Sequence, residues 1–227
     1  MLIFEQEPSY ILHRTPYQEH RYLLDLLTQH YGRIRAVANI SRQKTHRHTE
    51  QFAPFRLLSI EGYQKQELAT IKHAEVSTIY SPNPQESLNL YYLHELLIGL
   101  LPLNMAYEAV FTAYQSALHY PDAFSLRLME YTLLQTLQLL PAPPTTASAF
   151  YTLQQSALGI QWETQTSGFA NDVVMSLYHA NPSHLFQHPQ TKALYQALLF
   201  PHLKRPPTIK ATAQSLKALF TAPQNHK

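Results

Sequence analysis

The chain has 227 residues, long enough to bury a real core in one or two domains. Hydrophobic residues make up 45%, but charged residues only 14% and the formal charge is +2, so bulk electrostatics steer weakly and affinity for a polyanion must come from local clustering. Cysteine is absent, which excludes disulfides, thiolate zinc sites and thiol catalysis, and fits a reducing compartment.

The chain begins Met1-Leu-Ile-Phe-Glu-Gln-Glu7, without the basic and apolar regions of a signal peptide. The longest apolar stretch, Leu96 to Leu103, is far too short to span a bilayer. A soluble, cytoplasmic protein with no membrane partner is expected.

The first eighty residues carry strand signals. Tyr10 to His13 is a short β-like run ended by Arg14-Thr15-Pro16. Tyr22 to Thr28 is apolar, Tyr31-Gly32 supplies a turn, and Arg33 to Ala38 alternates, so Tyr22 to Ala38 reads as a hairpin. Phe52 to Ile60 is a further apolar run, broken by Pro54, and Glu67 to Val76 alternates cleanly. Five short strands separated by turn signals suggest a small closed β-barrel.

Ser81-Pro82-Asn83-Pro84 breaks this pattern, and the period then becomes helical. Leu93, Leu96, Leu97, Leu100 and Leu101 follow i, i+3, i+4 spacing up to Pro102. Tyr107, Val110, Phe111 and Tyr114 mark a second helix. Asp122 is the expected N-cap of a third, with Leu126, Leu133, Leu134 and Leu137 on its apolar face. After Pro141-Ala-Pro143-Pro144, residues 141–172 read as an irregular loop segment. Short helices are expected at Asp172–Ala180, Thr191–Leu199 and Thr212–Phe220. The expected division is residues 1–80, a β module, and 81–227, a helical module.

The charge is most concentrated between Arg33 and Thr49, which hold Arg33, Arg35, Arg42, Lys44, Arg47, His46 and His48 and no acid. Alternation puts Arg33 and Arg35 on one strand face, which leads into a basic loop suited to polyanions. Tyr10, Tyr17, Tyr22 and Tyr31 interleave with Arg14, Arg21, Arg33 and Arg35, so bases could stack on rings while cations meet phosphates. Half of these tyrosines could equally plug the barrel. No P-loop, dinucleotide-binding, nucleophile-elbow or zinc-protease motif is present. His46-Arg47-His48 lacks the carboxylates of a metal site, and His94 reads as a helix-surface or satisfied core histidine rather than a base. On the residues alone, an OB-fold RNA-binding or translation-associated adaptor fits the basic loop as well as a DNA-binding module. A histidine-based hydrolase is the weaker third reading, for want of a nucleophile.

The stretch Ile11 to Asn39 resembles the N-terminus of the RecO family. The matching elements are Arg14 to Glu19, Tyr22 to Thr28, Gly32-Arg33, Ile34 to Ala38 and the basic loop Ser41 to Arg47. Tyr92-Leu-His-Glu-Leu-Leu97 and Leu126-Arg-Leu-Met-Glu130 are similar to two family helices, and Leu203 to Leu219 to its closing basic helix. The resemblance implies an α+β fold: an N-terminal OB-fold five-stranded barrel followed by an all-α helical domain. It implies no enzymatic turnover and no cofactor. It further implies binding of single- and double-stranded DNA, for which the clustered cations Arg14, Arg21, Arg33, Arg35, Arg42, Lys44 and Arg47 are the expected contacts, together with strand annealing, RecA loading with RecR, and a cytoplasmic, nucleoid-associated setting. It also implies capture of the acidic, Phe-ended tail of single-stranded-DNA-binding protein, with Arg127 on its carboxylates and Leu137 in its apolar pocket. The chain departs from the family twice. It lacks the four-cysteine zinc site of many members, so no metal is expected, and Leu137-Gln138-Leu139 replaces a Leu-Gly-Tyr.

Overall fold

The structure, a computed structural model, describes residues 1–18, 20–39, 51–157, 159–179, 186, 188–205 and 207–208. Five strands come first: β1 (Leu2–Pro16), β2 (Arg21–Thr28), β3 (Gly32–Asn39), β4 (Arg56–Gln64) and β5 (Leu68–Ile79). They close in the order β1-β2-β3-β5-β4, the OB-type barrel expected, with β3 and β5 parallel and every other pair antiparallel. Closure leaves no open sheet edge.

β1 is long because it serves two neighbours: Leu2 to Tyr10 pairs with β4, and Ser9 to Pro16 with β2. Bulges between Phe4 and Glu7 and between Ile11 and His13 bend it around the barrel. The strand therefore starts at Leu2 rather than Tyr10, and Arg14-Thr15-Pro16 continues it. Pro16, opposite Tyr22, is the last rung of the β1–β2 ladder. In contrast, the apolar run from Phe52 enters β4 only at Arg56, because Phe55 takes the left-handed region at φ 61°.

Alternation sorts the strands into two faces. Phe4, Ile11, Leu24, Leu26, Ile34, Ala36, Ala38, Leu58, Ile60, Ala69 and Ile71 fill the barrel, with Phe52 beside them. Tyr10, Leu12 and Leu27 point the other way and share a second core with the helices. The barrel wall is thus also the floor of the second module.

The helices are α1 (Pro84–Leu100), α2 (Glu108–His119) and α3 (Ala123–Thr136). α1 starts with a capping box between Asn83 and Glu86, has proline in its first turn, and stops at Leu101 before Pro102. Asp122 caps α3 as expected, its carboxylate accepting from the Ser125 N–H at 2.8 Å. Gly32 turns β2 into β3 at φ 69°, and a Cβ there would lie 1.7 Å from the Met105 carbonyl oxygen, so only glycine fits between the barrel and the α1–α2 connection.

The second module is not all helix. Residues 141–172, expected as a loop, contain β6 (Phe150–Ser156), β7 (Gly159–Gln165) and β8 (Phe169–Ala170), in the order β7-β6-β8. Their sequence is rich in Gln and Thr, and only Tyr151 is fully buried, so they lack the apolar alternation that marks a strand. Trp162 anchors β7 by donating to the Tyr178 hydroxyl at 2.7 Å. α4 is shorter than expected, at Asn171–Ser176, and α5 spans Thr191–Leu199. The helix expected at Thr212–Phe220 lies outside the described residues.

Candidate nucleic-acid interface and partner cleft

The four described arginines of the expected DNA site fall into two groups. Arg14 and Arg21 stand exposed at the barrel end where β1 finishes, β2 begins and β3 leads into residues 40–50. The Arg14 guanidinium lies 5.4 Å from the centre of the Tyr22 ring and donates to the Phe52 carbonyl at 3.2 Å. Arg21 donates to Asn39 Oδ1 and to Gln18 Oε1, each at 3.1 Å. These amides are neutral, so the Arg21 charge is retained at the surface. Arg42, Lys44 and Arg47, with His46 and His48, lie outside the described residues.

Arg33 and Arg35 do share a face, but a different environment holds each. The Arg33 guanidinium donates twice to Asp25 Oδ1, at 2.8 and 3.1 Å, and to the carbonyls of Ile98 and Leu101 at 2.7 and 3.1 Å. Its side chain is 13% exposed. It therefore satisfies the last carbonyls of α1 and ties that helix to the barrel, and little of its charge faces solvent. Arg35 stays 49% exposed, with Nε 3.8 Å from the same Asp25 oxygen. The signal for this difference was the lone acid Asp25, opposite Arg35 in the β2–β3 register.

A second cationic group lies outside the basic run. Tyr63, near the end of β4, carries the Lys72 ammonium 5.2 Å and the Lys65 ammonium 5.5 Å from its ring centre. The spacing of Tyr63 and Lys65 was visible in the sequence; the approach of Lys72 required the β4–β5 pairing.

Arg127 and Leu137 do not meet. Arg127 is buried near the start of α3 and pairs with Glu130, which is wholly buried and also accepts from the Tyr92 hydroxyl at 2.6 Å. Leu137 is the C-cap of α3, about 15 Å further along the axis. It lines a cleft with Leu100, Pro102, Tyr107, Leu139 and His202. Gln138, beside it, has φ 55°. The Leu139 N–H reaches the Leu134 carbonyl at 2.9 Å and the Gln138 N–H the Gln135 carbonyl at 3.1 Å, a Schellman closure with a glutamine where glycine is preferred.

His94 is a core histidine. Its Nε2 lies 2.5 Å from the Tyr114 hydroxyl, and burial pushes its pKa down to about 3. Among the described residues no three His, Asp or Glu side chains group as metal ligands. None of the described helices is long and apolar enough to cross a membrane.

The barrel coincides with the region that comparison with known proteins identifies. A family model described as Recombination protein O N terminal matches residues 1–80. The DNA repair protein RecO of Variovorax paradoxus (strain S110) is 31% identical over 185 residues, 71% of this chain and 72% of that protein. The chain belongs to the RecO family. Further RecO proteins, from Cellvibrio japonicus (strain Ueda107) and Psychromonas ingrahamii, are 38% and 34% identical, each match spanning 58% of the relative's length. RecO relatives thus carry names from DNA repair and recombination, and this chain's barrel coincides with the family's N-terminal pattern.

Proposed function

We propose that the chain is a DNA repair and recombination mediator. It binds single- and double-stranded DNA, anneals complementary strands and helps load RecA together with RecR. Residues 1–80 act as the DNA-binding module and 81–227 as the protein-binding module. The activity is binding and assembly rather than turnover, in the cytoplasm on the nucleoid.

The observation that carries this reading is the barrel end bearing Arg14 over Tyr22 and the exposed Arg21. β3 ends there at Asn39, and the sequence that follows carries Arg42, Lys44 and Arg47. Cations beside rings on an OB-fold suit a phosphate backbone with unpaired bases. Arg35 extends this surface, while Arg33 supports it from beneath.

The cleft beside Leu137 offers an apolar floor for the aromatic end of the tail of single-stranded-DNA-binding protein. In this reading Arg127 contributes by holding α3 in place through Glu130, and Leu137 by direct contact.

Titration of labelled single-stranded and duplex DNA against Arg14→Gln, Arg21→Gln and Arg33→Gln tests the assignment. Each of the first two should weaken binding to every sequence and flatten the single-strand salt slope by about 0.7. Arg33→Gln should lower the melting temperature and leave that slope unchanged. Unchanged slopes in all three would remove the barrel end from the DNA site. Tighter binding of a matched RNA strand would favour an RNA-binding adaptor instead.

A further inference from the structure

The outer face of the barrel carries a continuous row that starts at Arg21. Arg21 pairs with Asn39 across β2 and β3. The β3–β5 ladder runs parallel and ends at Ala38 opposite Ile71, so the next residues, Asn39 and Lys72, stand level with each other. Alternation turns both outward, because Ala38 and Ile71 fill the barrel. Lys72 in turn reaches the Tyr63 ring on β4. The row Arg21, Asn39, Lys72, Tyr63 crosses the strands and covers three inter-strand spacings, about 14 Å.

The chemistry along this row is ordered. Its cations are Arg21, Lys72 and Lys65, and among the described residues none of the three forms an ion pair. Tyr63 is half-buried, so part of it faces solvent. Exposed Ile3 is its cross-strand neighbour on β1. Two residues oppose an anion here, Glu5 and Glu61, which line the same cleft as Tyr63 and Lys72.

We propose that Tyr63 is a base-stacking platform for single-stranded DNA, with Lys72 and Lys65 on the flanking phosphates. The strand crosses the barrel face from the Arg14–Arg21 end to this ring. This rests on the DNA-binding reading above and extends it to a separate part of the barrel. A base displaces an ammonium from the ring, and that ammonium moves to a phosphate, so the ring is covered in both states. Duplex DNA cannot use the platform, because its bases are already stacked on one another. The site therefore favours single strands over duplex, the preference that strand pairing requires.

The test is a titration of labelled oligo-dT and of a duplex of equal length against the full chain and four variants. Tyr63→Ala should weaken oligo-dT binding about 5- to 150-fold, the loss of one stacked base, and leave duplex binding unchanged. Tyr63→Phe should retain single-strand affinity, because stacking needs the ring and not the hydroxyl. Lys72→Gln should reduce the single-strand salt slope by about 0.7. Glu61→Gln should tighten oligo-dT binding, a gain that damage to the fold would not produce. Oligo-dT affinity unaffected by Tyr63→Ala, or equal losses on single strand and duplex, would overturn the platform. If Arg14→Gln and Arg21→Gln still weaken binding in that case, the DNA-binding reading survives without it. If the unaltered chain binds neither polymer, both fall together.

Discussion

Replacing Arg127 by alanine should act on the fold. The Arg127 side chain is 7% exposed and its partner Glu130 is 0% exposed. Removing the guanidinium takes the cation away from a buried carboxylate that still accepts from the Tyr92 hydroxyl. Breaking a buried pair from one side costs about 3–5 kcal/mol, because the orphaned charge stays out of water. For a chain of this size about 1 kcal/mol shifts the melting temperature by roughly 2–4 °C, so a loss of about 6–20 °C is expected. Replacing both residues, as Arg127→Met with Glu130→Leu, removes the charge with its partner and should recover most of the loss. The assay is thermal and denaturant unfolding of the two single variants and the double variant, with binding of an acidic, Phe-ended peptide measured below each melting temperature. A melting temperature within about 2 °C of the original for Arg127→Ala would refute the buried-pair reasoning, as would a double variant no more stable than the single. Lost peptide binding in a variant of unchanged stability would return Arg127 to direct contact with the tail.

Two further perturbations test particular sites. His94 is neutral in the folded chain, with its pKa down at about 3 against about 6.5 when unfolded, so the unfolded state takes up the proton first as pH falls. Its contribution is complete above pH 6.5 and is lost between there and about pH 3, at about 1.4 kcal/mol per pH unit. Denaturant unfolding from pH 7 to 4 should show that slope reduced in His94→Asn, and identical slopes would place the histidine in water. Gln138→Gly should stabilise the chain by about 0.5–1 kcal/mol, because relief of the left-handed backbone at φ 55° outweighs the added freedom of the unfolded chain. A lower melting temperature in that variant would show that the glutamine side chain contributes more to the cleft than its backbone costs.

Much of the barrel was legible because one face of each strand is buried. Alternation at Arg33 to Ala38 and from Glu67 onward marks inside from outside, and Gly32 marks the turn between β2 and β3. The cap at Asp122 and the stop before Pro102 are local chemistry, so the start of α3 and the end of α1 were legible too. The small sheet was not, since β6 and β7 bury too little apolar surface to leave a period in the sequence. Membership of the RecO family was also carried by local order, from Arg14 through Gly32-Arg33 to the basic run.

Which cations face solvent was decided by tertiary structure. Alternation sends Arg33 and Arg35 outward together, yet α1 covers one and leaves the other half exposed. In the same way the i, i+3 spacing of Arg127 and Glu130 suits a helix surface as well as a core, and Tyr92 on another helix seals the pair from water. Lys72 joins Tyr63 only because β4 and β5 pair in one particular register. A strand's sequence records which of its faces is apolar. It does not record what a distant element lays over the polar face, and that covering sets whether a charge meets a carboxylate, a carbonyl or water.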